Sequence, residues 1–248
     1  MKTYLKIFAA LFFVCFCLNS CGSNKQRSVD NYAYLGFINY RDGNYEKALS
    51  YYNRALQIDP KFKEIYVNRG ILWDSKNNFD NAIADFNSAI NIDPSDDKAF
   101  AHRGLAWDSK GEYDKAISDY DKAIDLNPWN VTAFQSRAYT LGNMGEFEKA
   151  ISDYDKALEI NPNDAITYNN RGFTWWEKGN YENAIADYNM ALEINPNLAE
   201  AYYNRSKARK FQNEHELALT DAKRSLSLTP SNFRYQKLVI ELQTQINK

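Results

Sequence analysis

Residues 165–198 read AITYNNRGFTWWEKGNYENAIADYNMALEINPNL, and variants of this stretch fill most of the 248-residue chain. Proline marks the repetition most clearly, because every proline falls at the same place in successive copies. The six prolines are Pro60, Pro94, Pro128, Pro162, Pro196 and Pro230, each 34 residues after the one before. A fixed period of this kind indicates one structural unit copied along the chain, and it predicts a stack of units rather than one or two globular domains.

The copies share residue types at fixed positions, counted from the first residue of each unit. The units are 29–62, 63–96, 97–130, 131–164, 165–198 and 199–232. Position 4 is aromatic, position 8 is small and position 20 is alanine in every unit, while positions 24 and 27 are aromatic and alanine in the first five. Positions 4, 8 and 11 lie about one turn apart on a first helix, as do positions 20, 24 and 27 on a second. Each unit is therefore predicted to be a helical hairpin, with aromatic rings filling the space beside small residues.

Glycine and proline are predicted to end the two helices of each unit. Position 15 is glycine in four units, where it supplies the left-handed backbone that terminates a first helix. These glycines are Gly43, Gly111, Gly145 and Gly179. Proline at position 32 ends the second helix, because it steers the residue before it out of helical geometry.

These positions together resemble the tetratricopeptide repeat, and Trp73, Trp107 and Trp175 at position 11 extend the match. The resemblance covers residues 29–232. It implies an all-α fold, a right-handed α-solenoid of six helical hairpins with a concave groove lined mainly by first helices.

The sixth unit departs most from the shared pattern, and the tail after it is predicted to be a capping helix. The departures are Ser206, Arg209, Asn213, Ala222 and Ser225. In residues 233–248, apolar side chains recur at helical spacing, namely Tyr235, Leu238, Leu242 and Ile246. An amphipathic helix there would cover the last hydrophobic face of the stack.

Arginine at position 7 and aspartate at position 23 occur together in five units and are both missing from the first, which has Leu35 and Tyr51. The pairs are Arg69/Asp85, Arg103/Asp119, Arg137/Asp153, Arg171/Asp187 and Arg205/Asp221. Because the two residues appear and disappear together, we hypothesise a structural ion pair across each hairpin rather than a binding site.

By the same resemblance, positions 2, 5, 6, 9, 12 and 13 line the groove. The candidate peptide-binding residues there are Phe37, Tyr40, Asn68, Tyr139, Asn170, Phe173, Trp176, Tyr203 and Asn204. They lie away from the face that packs the hairpins, and an exposed apolar stripe marks a partner site. An asparagine amide offers the donor and the acceptor that a peptide group needs. The alternatives are packing between neighbouring helices for the aromatic residues and simple solvation for the asparagines.

Two further patterns restrict the partner. The chaperone-binding subclass of the family holds a C-terminal carboxylate with lysines and an arginine, but positions 5 and 9 here are mostly apolar, so that function is not expected. A basic cluster in the last unit is either a solvated helical face or a contact for an acidic partner or anionic headgroups. Its members are Arg205, Lys207, Arg209, Lys210, Lys223 and Arg224.

Residues 1–20 are predicted to be a signal peptide. Lys2 and Lys6 accompany an apolar run, 7–18, that is too short to span a bilayer comfortably. The following Leu18-Asn19-Ser20-Cys21 resembles a bacterial lipobox, which implies lipidation of Cys21. An ordinary secretory signal with an incidental cysteine is the alternative.

Residues 21–28 are then the lipidated N-terminus and a polar tether between membrane and first repeat. The expected location is the bacterial cell envelope, with the protein lipid-anchored. Gly22 after the cysteine favours the outer membrane, facing the periplasm, under the sorting rule of one bacterial group.

Composition and motifs argue against other functional classes. The balance of 30 Lys plus Arg against 32 Asp plus Glu gives little support to nucleic-acid binding. His102 and His215 lie more than a hundred residues apart, and the sequence has no glycine-rich phosphate loop or metal-spaced ligand set. We therefore expect no enzyme activity, no cofactor and no metal.

The sequence predicts a membrane-anchored, non-catalytic adaptor or assembly scaffold that binds a protein or peptide partner in its groove. One alternative, from architecture alone, resembles pilotins and adaptors of peptidoglycan enzymes. Another is a structural lipoprotein that associates with itself.

Overall fold

The computed structural model describes residues 24–247, and within them it contains thirteen α-helices and no strand. The helices are α1 Asn24–Arg41, α2 Tyr45–Ile58, α3 Lys63–Ser75, α4 Phe79–Ile92, α5 Asp97–Ser109, α6 Tyr113–Leu126, α7 Val131–Asn143, α8 Phe147–Ile160, α9 Ala165–Glu177, α10 Tyr181–Ile194, α11 Ala199–Phe211, α12 His215–Leu228 and α13 Phe233–Ile246. Successive helices pair as six hairpins, and α13 follows as a closing helix, so the all-α prediction of stacked hairpins is confirmed.

The chain forms two compact units. The first ends at Pro94 and contains hairpins α1/α2 and α3/α4, while the second begins at Ser95 and contains the other four hairpins and α13. The predicted signal peptide and Cys21 lie outside the described residues.

Helix α1 begins before the first repeat, inside the predicted tether. Residues 24–28 are helical, and Gln26 Nε2 donates to Asp30 Oδ1 at 2.9 Å one turn later. The segment contains no proline or glycine that would stop the helix, so it extends in the N-terminal direction from the first repeat. These five residues of the predicted tether are therefore part of a helix.

Glycine and proline end the helices as predicted, with glycine after first helices and proline after second helices. The four position-15 glycines have φ between 76° and 84° and follow the first helices. Asn77 and Asn213 occupy position 15 of the second and sixth hairpins, with φ of 57° and 62°. Asparagine can replace glycine there because it tolerates the left-handed region better than most residues. Before the prolines the backbone is extended, as at Asp59 with φ −131° and ψ 95°.

The core of the first five hairpins depends on the fit between positions 8 and 24. A Cβ atom added to Gly172 would lie 2.8 Å from Cε1 of Tyr188, and one added to Gly104 would lie 2.5 Å from Cε1 of Tyr120. Contacts under 3.0 Å force a shift, so the buried ring at position 24 requires a small residue at position 8.

The arginine–aspartate hypothesis is confirmed in all five hairpins. In the fifth, Arg171 Nε and Nη2 donate to the carboxylate oxygens of Asp187 at 2.8 and 2.6 Å. Its Nη1 donates to Asp155 Oδ1 of the preceding hairpin at 2.5 Å, and its guanidinium carbon lies 5.4 Å from the ring centroid of Tyr168. Each such arginine therefore has a structural role inside the stack.

The closing helix completes the sixth hairpin as predicted. Tyr235, Leu238 and Leu242 are buried, and the two leucines pack with Ala218 and Ala222 of α12. Val239, which the spacing argument did not include, is also buried there.

Candidate functional site

The second unit has a cavity of about 300 Å³ lined by residues of α7, α8 and α9. Three sequence-predicted groove residues meet there, namely Tyr139, Asn170 and Phe173. The side chains of Tyr139 and Phe173 are 56 % and 43 % exposed, although both are large aromatic rings. Packing between helices therefore does not account for these two rings.

Helical spacing explains why the rings face outward. Tyr139 and Phe173 both stand at position 9, directly after the small residue that contacts the position-24 ring. A step of one residue turns about 100° around an α-helix, so position 9 leaves the packed face. The repeat therefore presents one aromatic ring from each of two neighbouring first helices.

Gly142 opens the cavity between these helices. It lies at position 12 of the fourth unit, where the other units carry a side chain, as Trp176 does in the fifth. Phe147 and Tyr154 of α8 also line the cavity, although Tyr154 stands at position 24, which was assigned to the packed face. Sequence reasoning missed them, but the absent side chain at Gly142 was a signal that could have identified this part of the groove.

The aromatic surface continues from α9 to α11. Phe173 stacks on Trp176 with ring centroids 5.9 Å apart, and Trp176 meets Phe211 edge-on at 5.8 Å. The ammonium of Lys207 lies 3.8 Å from the Trp176 centroid. Tyr203 packs on Tyr235 of the closing helix at 5.0 Å. These ring and ammonium contacts leave Trp176 and Tyr203 only half-exposed. The two residues therefore form the rim of the aromatic surface, and Tyr139 and Phe173 are its more exposed rings.

The three predicted asparagines differ in their surroundings. Asn170 is half-buried and lines the cavity. Asn204 is only 7 % exposed, and its Nδ2 donates to Asn169 Oδ1 at 3.1 Å. That bond joins α11 to α9, which corrects the expectation that the amide of Asn204 faces a ligand. Asn68 lies on α3 of the first unit and is half-buried.

The first unit holds two more predicted residues, Phe37 and Tyr40, both half-buried on α1. Tyr40 packs on the ring of Tyr45 at 5.9 Å, and its hydroxyl is 3.0 Å from Oγ of Ser75. These contacts show that Tyr40 packs within its own unit. The candidate site is therefore the aromatic surface of the second unit, formed by Tyr139, Asn170, Phe173, Trp176 and Phe211, which we call the aromatic groove.

Three further features of the described part of the chain concern metal binding, membrane spanning and the protonation of a histidine. Among residues 24–247, no cluster of three or more His, Cys, Asp or Glu could hold a metal ion. Over the same residues, no helix has both the length and the apolar character needed to cross a membrane. Burial lowers the pKa of the His102 imidazole, which favours its neutral form at pH 7.

Family models described as tetratricopeptide repeat, or TPR repeat, match nearly all of the repeated region. The matched residues are 29–62, 63–96, 97–130, 139–179, 165–198 and 199–232. A comparison with curated protein sequences finds no match.

Several solved structures share the fold. PilW, described as a widely conserved type IV pilus biogenesis factor, has a TM-score of 0.79 at 17% identity, covering 85% of this chain and 98% of its own. The Pseudomonas aeruginosa protein PilF has a TM-score of 0.75 at 18% identity, covering 88% of this chain and 100% of its own. YrrB, described as a TPR protein with an unusual peptide-binding site, has a TM-score of 0.60 at 21% identity, covering 78% and 97%. At these identities the likeness shows the fold alone.

Proposed function

The chain belongs to the tetratricopeptide repeat family, and we propose that it is a non-catalytic adaptor or assembly scaffold whose aromatic groove binds a peptide or helix of a partner protein. The tetratricopeptide fold is a scaffold for protein–protein interaction. The observation that carries the proposal is the pair of exposed rings, Tyr139 and Phe173, at a cavity where core packing gives them no role.

The side chains of the aromatic groove are held in place before a partner binds, which lowers the entropy cost of binding. Tyr139 and Phe173 stand on helices fixed by the arginine–aspartate pairs, so few side chains lose freedom when a segment docks. Aromatic rings bury a large apolar area with only two rotatable bonds each. Asn170 at the same cavity offers a donor and an acceptor to the backbone of an extended segment.

Photocrosslinking from the groove tests the proposal. A photoreactive amino acid at Asn170, followed by mass spectrometry, should identify one dominant partner in cells. The Tyr139→Ala/Phe173→Ala variant should weaken binding of that partner by more than tenfold, since buried aromatic anchors dominate interface energies.

A control variant separates groove binding from general effects. Tyr113→Ala removes a ring of similar exposure from α6, outside the cavity. It should leave capture unchanged and the protein folded. Undiminished capture by the Tyr139→Ala/Phe173→Ala variant would show that the partner uses another surface.

The finer part of the proposal is a lipid anchor at Cys21 that holds the scaffold in the bacterial envelope, at the outer membrane and facing the periplasm. Its support is the lipobox-like stretch ending at that cysteine. In cells fed a labelled fatty acid, Cys21→Ser should abolish lipid labelling and move the protein out of the membrane fraction. A membrane fraction that does not change would rule out the anchor.

A role in pilus assembly is the second candidate. It is favoured by the match to almost the entire length of PilF and PilW, the latter described as a pilus biogenesis factor. Deletion of the gene should then abolish surface pili, and normal piliation would exclude this role. An adaptor of a peptidoglycan enzyme and a self-associating lipoprotein are further alternatives. Light scattering that shows a concentration-dependent oligomer, without a crosslinked partner, would favour the last.

A further inference from the structure

A second cavity of about 230 Å³ lies between α11 and the closing helix α13. Lys207 and Lys210 of α11 line it together with Arg234 and Lys237 of α13. One carboxylate, that of Glu241, is the acidic group in the lining. The cavity therefore brings together four cations from two helices against one anion.

Not all of these cations are neutralised inside the protein. Lys210 forms an ion pair with Glu241, and Arg234 lies 3.5 Å from a carboxylate oxygen of Glu200. Among the described residues, Lys207 and Lys237 form no ion pair, although Glu177 and Glu200 attract the Lys207 ammonium at longer range. The other members of the earlier basic cluster do not belong to the cavity, because Arg205 and Arg209 bind Asp221 and because Lys223 and Arg224 are not in its lining.

Lys207 connects this cavity to the aromatic groove. Its ammonium lies over the ring of Trp176 at 3.8 Å and within 5.9 Å of the Tyr203 centroid. Phe211 lines the cavity and also contacts Trp176, which belongs to the groove. Burial lowers the pKa of Lys207, since the half-buried ammonium has lost part of its hydration. A carboxylate from a ligand would compensate for that loss.

We propose that this basic cavity binds acidic side chains of the partner segment that occupies the aromatic groove. The partner is then a peptide in which Asp or Glu residues lie beside aromatic or aliphatic ones. This inference rests on the proposed function and specifies, in addition, that the partner segment is acidic. Lys207 and Lys237 stand on different helices and form no ion pair among the described residues, so side-chain carboxylates of the segment can reach each of them.

The position of Lys207 favours a peptide over a lipid surface. A bilayer contacts cations that protrude, whereas Lys207 is half-buried against an indole ring and shares its cavity with Phe211 and Leu238. Side chains of a peptide can enter such a site, with an apolar residue on the rings and a carboxylate on the ammonium groups.

The test uses the full-length chain and a display library of random short peptides that have no free C-terminus. Enriched peptides should combine acidic with aromatic or aliphatic residues. Their Kd, measured by fluorescence anisotropy on C-terminally amidated peptides, should rise about tenfold for Lys207→Gln/Lys237→Gln and should rise with added salt. Lys237→Gln alone, at an exposed position, should give part of this loss without any effect on folding.

A matched control removes the same charge elsewhere. Lys122→Gln/Lys223→Gln changes two exposed lysines on α6 and α12 and should leave Kd within about twofold of wild type. An equal loss in both double variants would overturn the proposal, because a general charge effect would then explain it.

The remaining outcomes separate this inference from the proposed function. Peptides without an acidic excess, whose binding depends on Tyr139 and Phe173 but not on the two lysines, would overturn the acidic ligand and keep the groove. If no peptide is enriched at all, the acidic ligand is overturned, while the crosslinking experiment still decides whether the groove binds a partner. Binding to phosphatidylserine vesicles that requires Lys207 and Lys237, with no acidic peptide selected, would assign the cavity to a membrane surface instead.

Discussion

The fifth and sixth hairpins follow the same two-helix plan but fill their cores differently. In the fifth, the ring of Tyr188 lies against Gly172 and occupies the space between α9 and α10. In the sixth, the corresponding residues are Ala222 and Ser206, and Ala222 packs with side chains of α13 such as Leu242. The fifth hairpin thus packs its own aromatic ring with Ala208 of the next first helix, whereas the sixth lacks the ring and packs on a helix outside the repeat.

The comparison explains why the sixth unit departs from the repeat at several positions at once. Ser206 Oγ donates to the carbonyl oxygen of Ala218 at 2.8 Å, which a glycine at position 8 could not do. Arg209 replaces the aromatic residue at position 11 and donates to Asp221 Oδ2 at 2.7 Å. These substitutions adapt the hairpin to the helix that covers it, as terminal repeats in a stack require.

The largest expected effect comes from the ion pair. Arg171→Leu should lower the free energy of unfolding by about 4 kcal/mol, because it leaves Asp187 buried without its partner. Burial already raises the pKa of that carboxyl. Arg205→Leu should cost about half as much, since Arg209 still binds Asp221. Urea unfolding measures both, and equal losses would contradict the role given to Arg209.

The matched experiment for this prediction is the double variant. Arg171→Leu/Asp187→Leu should be less destabilised than the sum of the two single variants, because an apolar pair leaves no buried charge. Additive losses would show that the two side chains are not coupled.

The next effect tests the dependence of the last hairpin on the closing helix. Leu242→Ala removes a fully buried side chain and should cost about 3 kcal/mol. Hydrogen exchange should show the loss of protection in α11, α12 and α13 and much less in α9 and α10. A uniform loss across these helices would indicate that the fifth hairpin depends on α13 as well.

A smaller effect is expected from the position-8 glycine. Gly172→Ala places a Cβ atom 2.8 Å from the Tyr188 ring and should cost about 2 kcal/mol in thermal or urea unfolding. Gly142→Ala is the control, because the nearest atom to its Cβ is 3.8 Å away. It should be neutral or slightly stabilising, since alanine favours the helix. Similar losses in both variants would show that the clash with Tyr188 is not the cause.

The smallest effect concerns the turns of the two hairpins. Gly179 has φ of 84° and nothing within 4 Å of its Cβ position, so Gly179→Ala should cost about 1 kcal/mol from backbone strain alone. Gly179→Asn should cost less, because Asn213 adopts φ of 62° at the same position of the sixth hairpin. A larger loss for asparagine, measured by urea unfolding, would disprove the equivalence of the turns.

Part of the candidate site could be predicted from the repeat register. Tyr139, Asn170 and Phe173 fall at positions that leave the packed face, and the structure brings them to one cavity. The burial of Asn204 could not be predicted, because its partner Asn169 belongs to the neighbouring hairpin. Contacts between repeats depend on how successive helices are spaced, which the period of one repeat does not specify.

The sequence by itself determined the helices, their ends and their pairing. A period of 34 residues, left-handed turns at Gly179 and its equivalents, and prolines that disfavour helical geometry in the residue before them are local constraints on the backbone. Only the tertiary structure decided which exposed groups meet. Lys207 of α11 and Lys237 of α13 line one cavity because the closing helix packs on the last hairpin, and side-chain proximity across helices arises from that packing.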